Sequence, residues 1–269
     1  MSHDPTVGIA VAQFAPDDDQ EANLVCIRDL ATLAVERGAT LVVFPEYSSF
    51  FTSQLGPQTV AAAQPLDGDF VSGLEVIAKV LGVHIVAGML EIAPGGRAYN
   101  TLVVLDPHGA LVATYRKLHL YDAFGQRESE WIAPGEIGEP QTFALGDLTV
   151  GLQTCYDLRF PEVTRRLVDA GADLVLVPSE WVRGPLKEQH WRTLVTARAL
   201  ENTIYVAAAD QAPPVGAGNS MVVDPMGVEL VTVGEATDVG VAWISTDRVA
   251  EVRRINPALE LRRFRVVPR

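Results

Sequence analysis

The sequence is poor in cysteine, in basic residues and in long apolar runs, and each shortage removes a class of protein from consideration. Its two cysteines, Cys26 and Cys155, lie far apart in unlike surroundings, which leaves no disulfide framework and too few thiols for a structural zinc site. Lysine and arginine total 21 against 34 acidic residues, a formal charge of -13. Such a balance repels phosphate backbones and releases no counterions, which argues against nucleic acid as a partner. No apolar run reaches the roughly 20 residues needed to cross a bilayer. The opening stretch, MSHDPTVGIAVAQF, has no basic segment leading into an apolar one. The expectation is a cytoplasmic protein with no membrane partner. No low-complexity or linker-like stretch divides the chain, so residues 1–269 are expected to form a single domain with a sizeable core.

What is present alternates between two periods. Short runs rich in Val and Ile occur at Val7 to Phe14, Leu41 to Phe44, Ile85 to Leu90, Leu102 to Leu105, Leu111 to Arg116, Leu148 to Leu152, Leu174 to Val177 and Ile204 to Ala208, and read as strands. Helical patterns lie between them. The clearest covers Glu21 to Arg37, where Leu24, Ile27, Leu30, Ala31 and Ala34 share one face and Gly38 stops the helix. Pro161 to Ala170 and Leu186 to Glu201 read the same way, the former with Pro in its first turn and Gly171 beyond its end. Pro107, His108 and Gly109 mark one hairpin, and Asp224, Pro225, Met226 and Gly227 a second. The fold class is α/β.

One passage is echoed. Gly38-Ala39-Thr40-Leu41-Val42-Val43-Phe44-Pro45 matches Gly171-Ala172-Asp173-Leu174-Val175-Leu176-Val177-Pro178 at five of eight positions. Each copy ends a helix on Gly, enters a strand buried on both faces and stops pairing at Pro. In open α/β sheets reactive groups gather just past the carboxyl ends of strands. That rule alone nominates Glu46, Ser179, Glu180 and Trp181.

Cys155 lies between the strand Leu148 to Leu152 and the helix starting at Pro161, in a turn that would expose its side chain and bring backbone N–H groups near it. Those groups can lower a thiol pKa and hold an oxyanion. Local sequence does not separate this from an inert buried cysteine. Cys26, on an apolar helix stripe, reads as core packing. Of the five histidines, His3, His84, His108, His119 and His190, only His119 sits beside other candidate groups, and a Cys-His pair is not indicated. Glu46 follows a buried strand, where desolvation raises a carboxyl pKa towards the range of a general base. Lys117 ends the strand Leu111 to Arg116, a place where a solvated lysine is the common outcome. Glu128, in Arg127-Glu128-Ser129-Glu130, is by itself a loop charge.

Together these pieces resemble one family. Phe44-Pro45-Glu46, Tyr115-Arg116-Lys117-Leu118-His119-Leu120 and Cys155-Tyr156-Asp157-Leu158-Arg159-Phe160-Pro161-Glu162 resemble, in order and spacing, the three motifs of the nitrilase superfamily of carbon-nitrogen hydrolases. Arg127-Glu128-Ser129 followed by Pro134-Gly135 is similar to the segment carrying the family's additional glutamate. The resemblance spans essentially the whole chain, and around Cys155 it is to the amidase branch that includes ω-amidase and deaminated glutathione amidase. It implies a four-layer α-β-β-α sandwich with internal pseudo-symmetry, and a homodimer. It also implies Cys155 as nucleophile, Glu46 as proton carrier, Lys117 and the Tyr156 N–H on the oxyanion, and Glu128 orienting Lys117 or the substrate amide. The substrate would be a small-molecule amide, and no metal or cofactor is needed. Tyr121, Tyr156, Ser179, Glu180 and Trp181 are expected to contact that substrate. A nitrile or N-carbamoyl hydrolase would use the same triad, and a non-catalytic scaffold is the rival from another class. Glu180 stands where relatives carry a small or amide residue. A carboxylate there would disfavour anionic amides, and neutral or cationic ones are expected.

Overall fold

The computed structural model describes residues 6–269, so His3 lies outside the described residues. In chain order the elements are β1 (Val7–Gln13), α1 (Gln20–Glu36), β2 (Leu41–Val43), α2 (Pro57–Ala61), α3 (Asp69–Leu81), β3 (His84–Ala93), β4 (Arg97–Leu105), β5 (Leu111–Arg116) and β6 (Ile132–Ala133). They continue with β7 (Thr142–Leu145), β8 (Leu148–Leu152), α4 (Pro161–Asp169), β9 (Leu174–Ser179), α5 (Lys187–Asn202), β10 (Tyr205–Asp210), β11 (Met221–Val223), β12 (Glu229–Thr232), β13 (Asp238–Ile244) and α6 (Thr246–Ile255). Short 3-10 turns at Glu128–Glu130 and Cys155–Arg159 complete the set that matters for the site.

Two sheets form, in the orders β13-β1-β2-β3-β4-β5, with β6 beside β4, and β12-β11-β10-β9-β8-β7. Period-two alternation assigns the faces. In β1, Ile9 and Val11 join Leu174, Leu176 and Tyr205 in a core between the sheets, while Ala10 and Ala12 turn outward to Ile27, Leu30 and Leu74 of α1 and α3. On the second sheet Val175 and Val177 turn outward to Trp191, Val195 and Ala199 of α5. Three apolar layers thus hold four layers of structure, the α-β-β-α sandwich, each helix covering a sheet face that would otherwise be wet.

The sequence echo has a topological counterpart. From β1 to β5 and from β8 to β12 the strand orders correspond, with two parallel pairs followed by two antiparallel ones, and α1 and α4 fill equivalent crossovers. The halves are tied by β13, which returns to pair antiparallel with β1 from Val7↔Ile244 to Gln13↔Asp238. Among the described residues no helix is long and apolar enough to cross a membrane.

One expectation needs correction. Cys26 is half-buried rather than wholly within the core, because it sits at the edge of the α1 stripe next to exposed Val25. In the carboxyl-terminal stretch Leu261, Phe264 and Val267 are exposed, whereas Leu259 packs against the outer core of the second sheet and Val266 is half-buried.

Candidate active site

The strand ends place the candidate groups. Phe44 still pairs with β3 through its N–H to the Val86 carbonyl (2.8 Å), and after Pro45 the chain turns sharply, Tyr47 taking φ 58°. That turn lies directly on Gly88 of β3, where a Cβ would come within 2.8 Å of the Glu46 Cα and 2.7 Å of the Tyr47 nitrogen. Gly88 is required by close approach. Lys117 is held at the end of β5 by its own N–H to the Asn100 carbonyl (2.9 Å) and by the Gly135 N–H to its carbonyl (2.8 Å). Cys155 begins a 3-10 turn after β8 with φ 41°, a left-handed conformation costing about 1–3 kcal/mol that the surroundings must impose.

Those surroundings centre on Asp157, which is fully buried. One carboxylate oxygen accepts from the Thr154 N–H (3.2 Å) and the Tyr115 hydroxyl (2.6 Å). The other accepts from the His119 N–H (2.9 Å) and meets the His119 Nδ1 at 2.8 Å. Asp157 therefore ties the Cys155 turn to the strand that delivers Lys117. His119 is used in this tie and stacks on Phe160 at 3.7 Å, so it makes no pair with Cys155.

Lys117 Nζ donates to Glu46 Oε1 (2.8 Å) and to Glu128 Oε2 (2.9 Å), all three side chains being nearly inaccessible to solvent. Asn100 Nδ2 donates to Glu46 Oε1 (2.6 Å), the Tyr47 hydroxyl to Glu128 Oε1 (2.6 Å), and the Glu180 N–H to Glu46 Oε2 (2.7 Å). The Cys155 thiol donates to the Glu180 carbonyl at 3.4 Å. Tyr47 and Asn100 were not among the sequence candidates. Asn100 gives itself away in retrospect as an amide within the apolar run of β4, a residue that must find partners there.

Burial raises the Glu46 carboxyl above its ordinary range, with the Glu128 charge in support and Lys117 opposing. Burial also works to raise Glu128, but Lys117, the Tyr47 hydroxyl and the Tyr121 N–H outweigh it and leave that carboxyl low. For Lys117 burial favours the neutral amine, yet Glu128 and Glu46 win and hold it firmly protonated. The thiol contradicts the expectation of a lowered pKa. Burial and then the Glu46 carboxylate push Cys155 well above its ordinary value, against the pull of Lys117. A thiol raised in this way would have to give up its proton to the neighbouring carboxyl in order to act as a nucleophile.

A cavity of about 440 Å³ opens on this group, lined by Lys117, Glu128, Cys155, Tyr121, Tyr156 and Trp181 among others, with Glu46 beneath Lys117. Glu180 also lines it and does not pair with Arg183, which binds Glu188 and Glu235 instead. Burial, and then the Glu46 charge, raise the Glu180 carboxyl well above the usual range. That shift works against the expected anionic charge at this position. Ser179 is also corrected. It is fully buried, its hydroxyl donates to the Val177 carbonyl (3.3 Å), and it does not line the cavity. Arg159 and Lys187, not nominated from sequence, do line it. Among the described residues no cluster of His, Cys, Asp and Glu is arranged to hold a metal.

A carbon-nitrogen hydrolase family model matches residues 8–254. The chain belongs to the carbon-nitrogen hydrolase family. It is similar to a deaminated glutathione amidase of Escherichia coli O157:H7, 37% identical over 262 residues covering 95% of this chain and 97% of the relative. A hydrolase of Mycobacterium tuberculosis (strain H37Rv) is 39% identical over 261 residues, 91% of each. Among solved structures, the Nesterenkonia AN1 amidase from the nitrilase superfamily superposes with a TM-score of 0.81 at 30% identity, over 96% of this chain and 99% of that one. The Caenorhabditis elegans NitFhit protein gives 0.87 at 31% identity, over 98% of this chain and 66% of that one. The fold is the nitrilase sandwich, and the chain is a hydrolase of carbon-nitrogen bonds.

Proposed function

We propose that the protein, acting as one domain over residues 1–269, is a cysteine-dependent amidase that converts a small-molecule carboxamide to a carboxylic acid and ammonia. The observation that carries this reading is the Lys117 ammonium held between Glu46 (2.8 Å) and Glu128 (2.9 Å), with the Cys155 thiol on the same cavity. Relatives named as amidases support it.

Glu46 takes the Cys155 proton as sulfur adds to the amide carbon, and Lys117 with the Tyr156 N–H receives the oxyanion. The proton passes from Glu46 to the departing nitrogen, the C–N bond breaks, and ammonia leaves a thioester on Cys155. Water then loses a proton to Glu46, adds to the thioester carbon and releases the acid, and the thiol recovers its proton. Glu128 keeps Lys117 charged and aimed. Tyr121, Tyr156 and Trp181 shape the substrate pocket. A panel of amides, N-carbamoyl compounds and nitriles, scored for ammonia with Cys155→Ala as control, tests the reading. Ammonia from amides, with an acyl adduct on Cys155 by intact mass, is the expected result. Release from nitriles alone would reassign the reaction, and no release from any would leave a non-catalytic member.

The homodimer belongs to the same reading. Leu261 and Phe264 are 71% and 92% exposed on the tail after α6, more apolar surface than a monomer usually leaves wet. Light scattering at micromolar concentration should give twice the chain mass, and a monomer would remove this part.

A further inference from the structure

One buried acid close to the site takes no part in that chemistry. Asp210 ends β10, in register with Ser179 of β9, and is fully buried. Its Oδ1 accepts the Trp181 N–H at 2.6 Å, and its Oδ2 has no hydrogen-bond partner among the described residues. Burying a carboxyl with one oxygen unmet costs stability, so folding alone does not account for its presence. Its main chain is held in place. The Asp210 N–H donates to the Ser220 hydroxyl (2.9 Å), which donates in turn to Gln13 Oε1 of β1 (2.8 Å).

What Asp210 grips is a single peptide group. The Trp181 N–H and the Glu180 carbonyl belong to one planar trans unit, so the two bonds point in opposite directions. The N–H points to Asp210, and the carbonyl accepts the Cys155 thiol at 3.4 Å. The peptides on either side have ties of their own. The Ser179 carbonyl accepts from the Gln211 N–H (3.2 Å), the Glu180 N–H donates to Glu46 Oε2 (2.7 Å), and the Trp181 carbonyl accepts from the Ala217 N–H (2.8 Å). Among the described residues the peptide between them is tied only to Asp210 and to the sulfur itself. We propose that Asp210 is a positioning residue for the nucleophile: by taking the Trp181 N–H it fixes the plane of the Glu180–Trp181 peptide, whose carbonyl then holds the Cys155 thiol beside Glu46. The proposal rests on the amidase reading and adds to it the residue that aims the sulfur.

An acceptor oxygen is all that this role requires. Both forms of a carboxyl keep one, and so does an asparagine amide. Asp210→Asn should therefore preserve the tie, whereas Asp210→Ala leaves the Trp181 N–H unmet and the peptide free to turn. The Trp181 ring has separate anchors, its indole N–H donating to the Lys187 carbonyl (2.8 Å) and its face packing on Trp191 at 5.4 Å. The cavity wall is thereby kept, and the loss falls on the reacting step rather than on amide binding.

The thiol reports its own acceptor. In a Cys26→Ala background Cys155 carries the single S–H group of the chain, and its infrared stretching band moves to higher frequency when the hydrogen bond is lost. Asp210→Ala should move that band upwards and broaden it. It should also lower kcat about 10- to 100-fold, the scale of a small misplacement of reacting atoms, with KM changed by less than about threefold, for the amide turned over fastest in the panel above. Asp210→Asn should return both band and kcat close to those of the unsubstituted protein. Where Asp210→Ala does not fold, as judged from its urea transition, Asp210→Ser, too short to reach the N–H, is read in its place. An unchanged band or an unchanged kcat in the protein lacking the acceptor overturns the proposal, and so does damage by Asp210→Asn equal to that by Asp210→Ala. A band that follows Asp210 in a protein that releases ammonia from no amide would instead count against the amidase reading alone.

Discussion

The two halves of the molecule present a carboxyl group at equivalent strand exits but treat it oppositely. In the first half β2 runs through Pro45 to Glu46, whose oxygens receive Lys117, Asn100 and the Glu180 N–H. In the second half β9 runs through Pro178 and Ser179 to Glu180, whose Oε1 receives nothing. Glu46 and Glu180 are both pushed up by burial. What differs is saturation. A buried carboxylate whose hydrogen bonds are complete is preorganised for proton transfer, because no reorganisation is needed during reaction. One with an open oxygen is poised to gain from a ligand. By this comparison the first sheet supplies the ion cluster, and the second supplies the cavity-lining thiol of Cys155 and the unsaturated carboxyl of Glu180.

The sharpest way to break that division is to remove the saturated carboxylate. Glu46→Gln should lower kcat for amide hydrolysis by about 10⁴-fold or more, the scale on which interdependent catalytic groups fail. Lys117→Met should fall in the same range, because it also leaves Glu46 and Glu128 facing each other without a cation. Ammonia release at saturating amide measures both. Retention of a tenth of the activity by Glu46→Gln would mean that the proton is carried elsewhere, with Glu180 the first place to look.

A smaller effect is expected where the halves are joined. Asp157 accepts from Thr154, Tyr115 and the His119 backbone while fully buried. Asp157→Ala leaves those donors unpaired and should cost about 3 kcal/mol of stability or more, since each buried donor left unsatisfied costs about 1–3 kcal/mol. A fall in the urea midpoint at unchanged slope is the expected reading. A midpoint equal to that of the unsubstituted protein would mean that the Cys155 turn holds its left-handed conformation without this tie.

How much of this was legible beforehand follows from the same physics. Helix α1 and strands β2 and β9 were readable, because their periodicity is local and their ends carry Gly or Pro. The meeting of Glu46, Lys117, Glu128 and Cys155 was legible only as a pattern of motifs, since segments up to 109 residues apart converge at the strand ends. Charge state was legible only in part: the raised Glu46 carboxyl follows from its place after a buried strand, but the state of the thiol does not. The thiol was expected low because N–H groups lie near such turns, but burial and Glu46 dominate, and both are properties of the assembled fold. Ser179 was misplaced for a related reason. A strand sends successive side chains to opposite faces, and the β9 register turns Ser179 into the protein and Glu180 to the cavity. Lys187 and Arg159 gave no local signal, because a cation's lack of partners is visible only once its neighbours are placed.

The unsaturated carboxyl also leaves a thermodynamic trace. Glu180 is raised in the folded protein, so the folded state keeps a proton that the unfolded chain releases first. Its favourable contribution is complete below the unfolded value near 4.5 and is lost as pH rises through the folded value. Glu180→Gln has no proton to lose. The difference in unfolding free energy, variant minus unsubstituted protein, should therefore increase from pH 4 to pH 8. A difference that is flat across that window would show that Glu180 ionises as freely folded as unfolded, and the contrast with Glu46 would then rest on hydrogen bonding alone.

The smallest effect should come from the other cysteine, and it sharpens the comparison by asking whether a thiol in the first half can substitute for the one in the second. Cys26 is half-buried on the outer face of α1, packed at the margin of the helix-sheet core and away from the cavity. Burial raises its pKa, and Asp29 and Asp17 add to the shift, so the reactive thiolate is scarce at neutral pH. The carboxylates near it, Asp29 and Asp17, are exposed to solvent where Glu46 is buried, and a thiol without a buried base beside it has no route to an acyl adduct at that pH. Cys26→Ala removes one small, partly exposed side chain, which should cost about 1 kcal/mol or less and leave amide turnover within about twofold. Iodoacetamide should label Cys26 slowly at pH 7 and faster as pH rises towards the raised thiol value, whereas an amide substrate should leave mass only on Cys155. An acyl adduct on Cys26 in the Cys155→Ala protein would show that sulfur alone suffices, and that the ion cluster of the first sheet is not what makes the second sheet's cysteine reactive.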